Sequence, residues 1–178
     1  MKSFINKFRV LGALSLLVLA IGIPSVGAAD GMKRFKPGAE SIAAIAVGNG
    51  NFTTLVAALS CTDLVGAVAN PDAELTVFAP TDAAFEAAGL NADNVCSTFD
   101  TETLTTVLLY HVVGERRPSP SVINGRNKEI MMLAGGYIYP AGTGSLTIGA
   151  NNSSANIVIP DVLASNGIIH AIDFVLLP

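Results

Sequence analysis

The sequence predicts an α+β domain, a mixed or antiparallel β-sheet sandwich with several short helices packed against it. Three observations lead there. Helical apolar spacing fills the first half, as in Phe52, Leu55, Val56 and Leu59 at i, i+3, i+4 and i+7. From Val112 onward, glycine, proline and asparagine punctuate short β-rich runs. No strand–helix repeat alternates along the chain, which excludes a doubly wound parallel sheet.

Residues 1–29 read as an export signal. Lys2, Lys7 and Arg9 open it, an apolar run from Val10 to Ile23 follows, and Pro24 leads to small residues at Gly27, Ala28 and Ala29. The run is shorter than the roughly 20 residues a bilayer span needs, so cleavage after Ala28 or Ala29 is expected over an uncleaved anchor. No cysteine follows the run and no second apolar segment follows the last strand, so neither a lipid nor a glycolipid anchor is expected. Residues 30–39 read as a flexible lead-in and 40–178 as one domain with a single core. Export removes three of ten basic residues and no acids, leaving seven against fourteen, a net −7. That balance excludes a nucleic-acid footprint and a polybasic membrane patch.

Glu40 to Val47 predicts a short helix closed by Gly48-Asn49-Gly50. Asn51 is placed to cap the helix that carries the Phe52 stripe, and Thr62 to cap another bearing Leu64, Val65 and Val68. Leu75 to Ala79 reads as a strand that Pro80 ends. Thr81 then caps a helix over Ala83–Ala88, with Asp82 in its first turn and Gly89 at its end. Asp100 starts a further helix whose stripe is Leu104, Val107, Leu108 and His111. Strands are expected at Ile130–Leu133, Tyr137–Tyr139, Ser145–Ile148, Ile157–Ile159 and Ile168–Leu177, with Asn166-Gly167 as a tight turn before the last. Both faces of that last strand are mostly apolar, which predicts a central strand covered on both sides. Cys61 and Cys96 are an even pair in an exported chain and read as a disulfide, worth about 3–4 kcal/mol on the chain-entropy account.

Three stretches, in this order and spacing, resemble a fasciclin-type domain over roughly residues 40–178. They are Leu75-Thr76-Val77-Phe78-Ala79-Pro80-Thr81-Asp82-Ala83-Ala84-Phe85, the pair Tyr110-His111, and the tail from Asp161 to Pro178. The resemblance implies a fasciclin-like fold and a noncatalytic adhesion or interaction role. It also implies that Tyr110, His111 and their aliphatic neighbours are candidate contacts of the kind associated with integrin-type adhesion. Pro160-Asp161-Val162-Leu163 is similar to a second adhesion motif of the family, although Ile159 stands where an acidic residue precedes the proline.

Each of these residues also has a purely structural reading. A histidine on a leucine stripe is commonly a core group held by one hydrogen bond. Asp161 can offer a carboxylate to a receptor's metal ion, or it can cap a turn. Thr81, Asp82, His111, Asn166 and His170 form a structural polar set, expected as buried hydrogen bonds tying the first strand to the last. Arg116, Arg117, Arg126 and Lys128 concentrate positive charge in one region, either a dock for acidic polysaccharide or protein or a solvated loop. Asn51-Phe52-Thr53, Asn151-Asn152-Ser153 and Asn152-Ser153-Ser154 fit the glycosylation pattern of a eukaryotic host.

No nucleophile elbow, zinc box, phosphate loop or dinucleotide fingerprint is present, and Ser165 has no base placed by spacing. Two cysteines and two histidines at 61, 96, 111 and 170 lack the close pairing of a metal site. No cofactor is expected. The sequence therefore predicts a secreted, periplasmic or extracellular, non-enzymatic domain that binds a cell-surface or matrix protein or an acidic polysaccharide. Bridging two surfaces with one domain would require a homodimer. The competing readings are a structural envelope protein without a ligand and a hydrolase using an Asp/His cluster.

Overall fold

Three helices begin on their own cap. Ser41, Thr81 and Asp100 sit in extended backbone and accept from the amides of Ala44, Ala84 and Thr103, starting α1 (Ile42–Gly48), α4 (Asp82–Ala87) and α6 (Thr101–Leu109). These coordinates are a computed structural model that describes residues 38–123, 129–141, 145–148 and 154–178. The expected export signal, most of the lead-in, Arg126, Lys128 and Asn151 to Ser153 lie outside the described residues.

The other helices are α2 (Thr53–Cys61), α3 (Val65–Ala69), α5 (Val95–Thr98) and α7 (Ser119–Ile123). The strands are β1 (Leu75–Pro80), β2 (Val112–Val113), β3 (Ile130–Met131), β4 (Tyr137–Pro140), β5 (Ser145–Ile148), β6 (Ser154–Ala164) and β7 (Gly167–Ile172). They form one sheet in the order β2-β1-β7-β6-β5-β4-β3. β1 and β7 run parallel, from Leu75 opposite Gly167 to Pro80 opposite Ile172, and the remaining pairs are antiparallel. The chain is thus α+β with a mixed sheet, as the order and spacing of its residues predict.

β7 is buried along its whole length between β1 and β6. On one face Val77, Ala79, Ile169 and Ala171 meet the helices through Phe52, Leu55, Leu59 and Leu108. On the other, Phe78 and Ile172 meet Ile130 and Ile138 of the far strands. The sheet folds back over itself to do this, and β6 supplies the bend with two register shifts, between Ile157 and Ile159 and between Ile159 and Val162. Cys61 at the end of α2 and Cys96 in α5 form the expected disulfide, with Cα atoms 6.0 Å apart.

Several local expectations give way to longer-range ones. Asn51 does not cap α2; the Asp82 carboxylate does, reaching across 29 residues to the amides of Thr53 and Thr54. Thr62 closes α2 instead of opening α3, its hydroxyl donating to the Ala58 carbonyl at 3.0 Å. The last strand stops at Ile172, not Leu177, because its parallel neighbour ends at Pro80 and the chain there turns into α4. The two-residue turn before it is Ser165-Asn166, and Gly167 already pairs in the ladder. Gly167 serves close approach, since a Cβ there would lie 2.2 Å from the Leu75 carbonyl oxygen. Among the described residues, no helix is long and apolar enough to cross a membrane.

Candidate functional site

The polar residues singled out by the sequence divide among separate sites instead of forming one network. Thr81 and Asp82 are half-buried at the start of α4. The Thr81 amide donates to the Ile172 carbonyl at 3.1 Å, which does join the end of β1 to β7. Asp82 faces the other way. Its carboxylate accepts from the Thr53 hydroxyl at 2.8 Å and the Thr54 amide at 2.8 Å. Burial raises its pKa, but the bonds from Thr54 and Thr53 outweigh that and hold it below the usual value. Asp82→Ala is expected to cost about 1–2 kcal/mol, as the loss of a helix cap does, read as a lowered urea midpoint at unchanged m-value. A loss below about 0.5 kcal/mol would place the start of α2 under other control.

Tyr110 and His111 follow α6 and are buried, at 4% and 2% exposure. The Tyr110 hydroxyl donates to the Tyr137 carbonyl at 3.1 Å, and its ring packs over Gly136, where a Cβ would come within 2.9 Å. Burial, reinforced by Tyr139, raises its pKa. His111 Nδ1 lies 2.7 Å from the Val107 carbonyl oxygen, and Nε2 accepts from the Leu176 amide at 2.9 Å. A carbonyl only accepts, so Nδ1 carries the proton and the ring is neutral. Burial lowers its pKa to about 4 against the opposing pull of the Val107 bond.

His170 points to the opposite face of the sheet, its ring centroid 5.6 Å from that of Phe78. It uses the other tautomer: Nε2 donates to the Arg117 carbonyl at 2.9 Å and Nδ1 accepts from the Asp161 amide at 3.2 Å. Burial lowers its pKa, opposed by the Arg117 bond and the Asp161 charge. Asp161 sits in the β6 bulge at φ +55, and its carboxylate accepts from the Ser119 amide at 2.7 Å and from the Ser119 hydroxyl. It therefore caps the segment that opens α7.

The arginines are drawn into the same clamp. Arg116 donates to the carbonyls of Ala164, Ser165 and Gly167, and Arg117 pairs with Glu115. Thr76, which the sequence reading passes over, is fully buried; its hydroxyl donates to the Glu115 carbonyl and accepts from the Arg117 amide, each at 2.7 Å. A lone threonine on an otherwise apolar strand was the available signal. Asn166, also fully buried, accepts from the Ile42 amide and donates to the Val68 and Asn70 carbonyls.

Both nitrogens of each histidine are bonded to backbone, and the two carboxylates, Asp82 and Asp161, cap helices. Among the described residues, no buried side-chain nitrogen or oxygen lacks a partner, and no group of three or more His, Cys, Asp or Glu is placed to hold a metal ion. Of the candidate contacts among the described residues, Pro160 alone is exposed, while Tyr110 and His111 are buried and Asp161, Arg116 and Arg117 are half-buried.

Fold and site together define a domain whose polar groups serve its own architecture, with a buried central strand laid parallel beside β1. Comparison with known proteins gives that class its family. The Fasciclin domain profile matches residues 50–178, and the chain belongs to the fasciclin domain family. It is 35% identical to Protein sll1483 of Synechocystis sp. over 96% of both chains. It is 32% identical to Immunogenic protein MPB70 of Mycobacterium bovis, covering 78% of this chain and 69% of that protein. Among solved structures, the FAS1 domain pair of the insect cell adhesion molecule Fasciclin I aligns with a TM-score of 0.63 at 17% identity, over 79% of this chain and 52% of that one, a likeness of fold.

Proposed function

We propose that this chain is an exported, noncatalytic attachment domain that binds a protein of a cell surface or matrix. The carrying observation is a run of exposed apolar residues, Val158-Ile159-Pro160, on the β6 bulge, with Val158 49% and Ile159 44% exposed. Three consecutive apolar side chains turned to solvent are a liability unless something covers them. The run ends at Pro160, the first residue of the stretch that the family resemblance marks for adhesion, and it leads into Asp161, whose amide is held by His170 and whose carboxylate is held by Ser119. A rigid apolar ridge suits a protein partner better than a polysaccharide. The basic side chains Arg116 and Arg117, which an acidic polymer would need, are spent on internal carbonyls and on Glu115.

The test is retention of the purified domain on the surface of its native cells. Val158→Asp with Ile159→Asp should lower retention about tenfold or more, while the melting temperature stays within a few degrees of the parent. Equal retention by parent and variant would sink the reading. Binding that vanishes in high salt yet ignores the double substitution would instead favour an acidic polysaccharide.

A further inference from the structure

We infer that the cavity between α4–α6 and the segment after β7 is a binding site for a compact, uncharged hydrocarbon group about the size of a benzene ring. Its volume is about 130 Å³. All its lining side chains are Phe, Leu, Val or Ala. Phe85, Val95 and Leu104 form the floor and are buried, while Phe174 and Leu177 stand at the rim, 39% and 45% exposed. The floor is thus closed and the rim open to solvent.

The chemistry of the occupant follows from the wall. Apolar cavities of roughly 150 Å³ stay dry and take benzene or xenon, because water there would forgo its hydrogen bonds. No side chain in the lining can satisfy a hydroxyl or a carboxylate, so a polar group would be buried at a cost. An open depression lined by Asp100, Glu102, Thr103 and Pro178 shares Val107 with the cavity, and its acidic groups disfavour an anion nearby. The aromatic rings of Phe85, Phe99 and Phe174 offer faces and edges to a flat or branched hydrocarbon.

The rim belongs to no strand. It lies beyond Ile172, the last ladder pair of β7, so Phe174 and Leu177 can shift without breaking strand pairing. Between them the chain is pinned by the bond from the Leu176 amide to His111. Entry by movement of two side chains around a fixed point needs no opening of the sheet.

Benzene and benzoate are the probes. With benzene at about ten times its dissociation constant, the melting midpoint should rise by about 3–5 °C, and benzoate should leave it unmoved. Proton resonances of Phe85, Leu104 and Phe174 should shift with benzene, whereas those of Leu64, Leu109 and Leu133, around a second apolar cavity of about 120 Å³, should not. Ala88→Phe places a ring at an exposed lining position and should abolish the benzene response while the variant melts cooperatively on its own. Absence of any benzene response in the parent overturns the site. Shifts centred on Leu64 and Leu133 overturn its location, and an equal response to benzoate overturns the ligand class. Should Ala88→Phe fail to fold, the resonance shifts of the parent decide alone.

Discussion

Replacing Asn166 with alanine should destabilise the domain by about 3–4 kcal/mol. Its side chain accepts from the Ile42 amide at 2.9 Å and donates to the Val68 and Asn70 carbonyls at 2.8 and 2.9 Å. Its own carbonyl takes the Leu75 amide at 3.1 Å. One residue thereby joins the start of α1, the end of α3, the entry to β1 and the turn before β7. Truncation strips the Ile42 amide and the Val68 carbonyl of this partner and leaves the Asn70 carbonyl with the Ala73 amide at 3.3 Å alone; each buried group left unmet costs roughly 1–3 kcal/mol. Asn166→Asp separates the two halves of this claim. It keeps the acceptor for Ile42 but aims a carboxylate oxygen at two carbonyls, so at neutral pH it should be no more stable than the alanine variant. Urea denaturation of both variants is the measurement. A loss under about 1 kcal/mol for alanine would mean that the turn holds its shape without this side chain.

The Asn166 bonds show where sequence reading succeeds and where it stops. Caps formed within three residues, at Thr81 and Asp100, were legible because side chain and amide belong to one turn. So was the central place of Gly167–Ile172, since apolar residues on both faces of a strand leave few alternatives to it, although the expected extension to Leu177 leaves the sheet and exposes Phe174 and Leu177. The cap on α2 was not legible, because Asp82 reaches it across 29 residues and nothing near Thr53 announces it. The eleven-residue β6 read as three residues because two register shifts break its alternation and Pro160 looks like a terminator. β2, of two residues, and α5 and α7, of four and five, are too short to carry a period. For the candidate site the limit is of the same kind. Isolation of His111 and His170 on apolar elements marked them as needing partners, but one backbone partner of each lies 65 and 53 residues away, reached only when the sheet closes.

Those two histidines tie stability to pH. His111 is neutral in the folded protein, with one proton, on Nδ1, satisfying Val107 while Nε2 receives the Leu176 amide. A second proton would set Nε2–H against that amide and bury a charge among apolar side chains. Its folded pKa is accordingly lowered from 6.5 to about 4, whereas the unfolded chain titrates near 6.5. With the folded value the lower one, the unfolded state binds more protons between these limits. The stability is complete above pH 6.5 and is lost as pH falls toward 4, by about 3 kcal/mol from this residue. His170, lowered for the same first cause, acts in the same direction below pH 6.5. Asp82, whose pKa is lowered from 3.8, keeps its contribution through this range and loses it only in more acid solution, so the histidine window stands apart. His111→Leu should be less stable at neutral pH, because Val107 and Leu176 lose a partner, yet its stability should decline less steeply between pH 6.5 and 4 by up to one proton's worth. Proton resonances of the His111 ring supply the direct check. If they titrate near pH 6.5 in the folded protein, the neutral bridge between α6 and the segment after β7 does not exist.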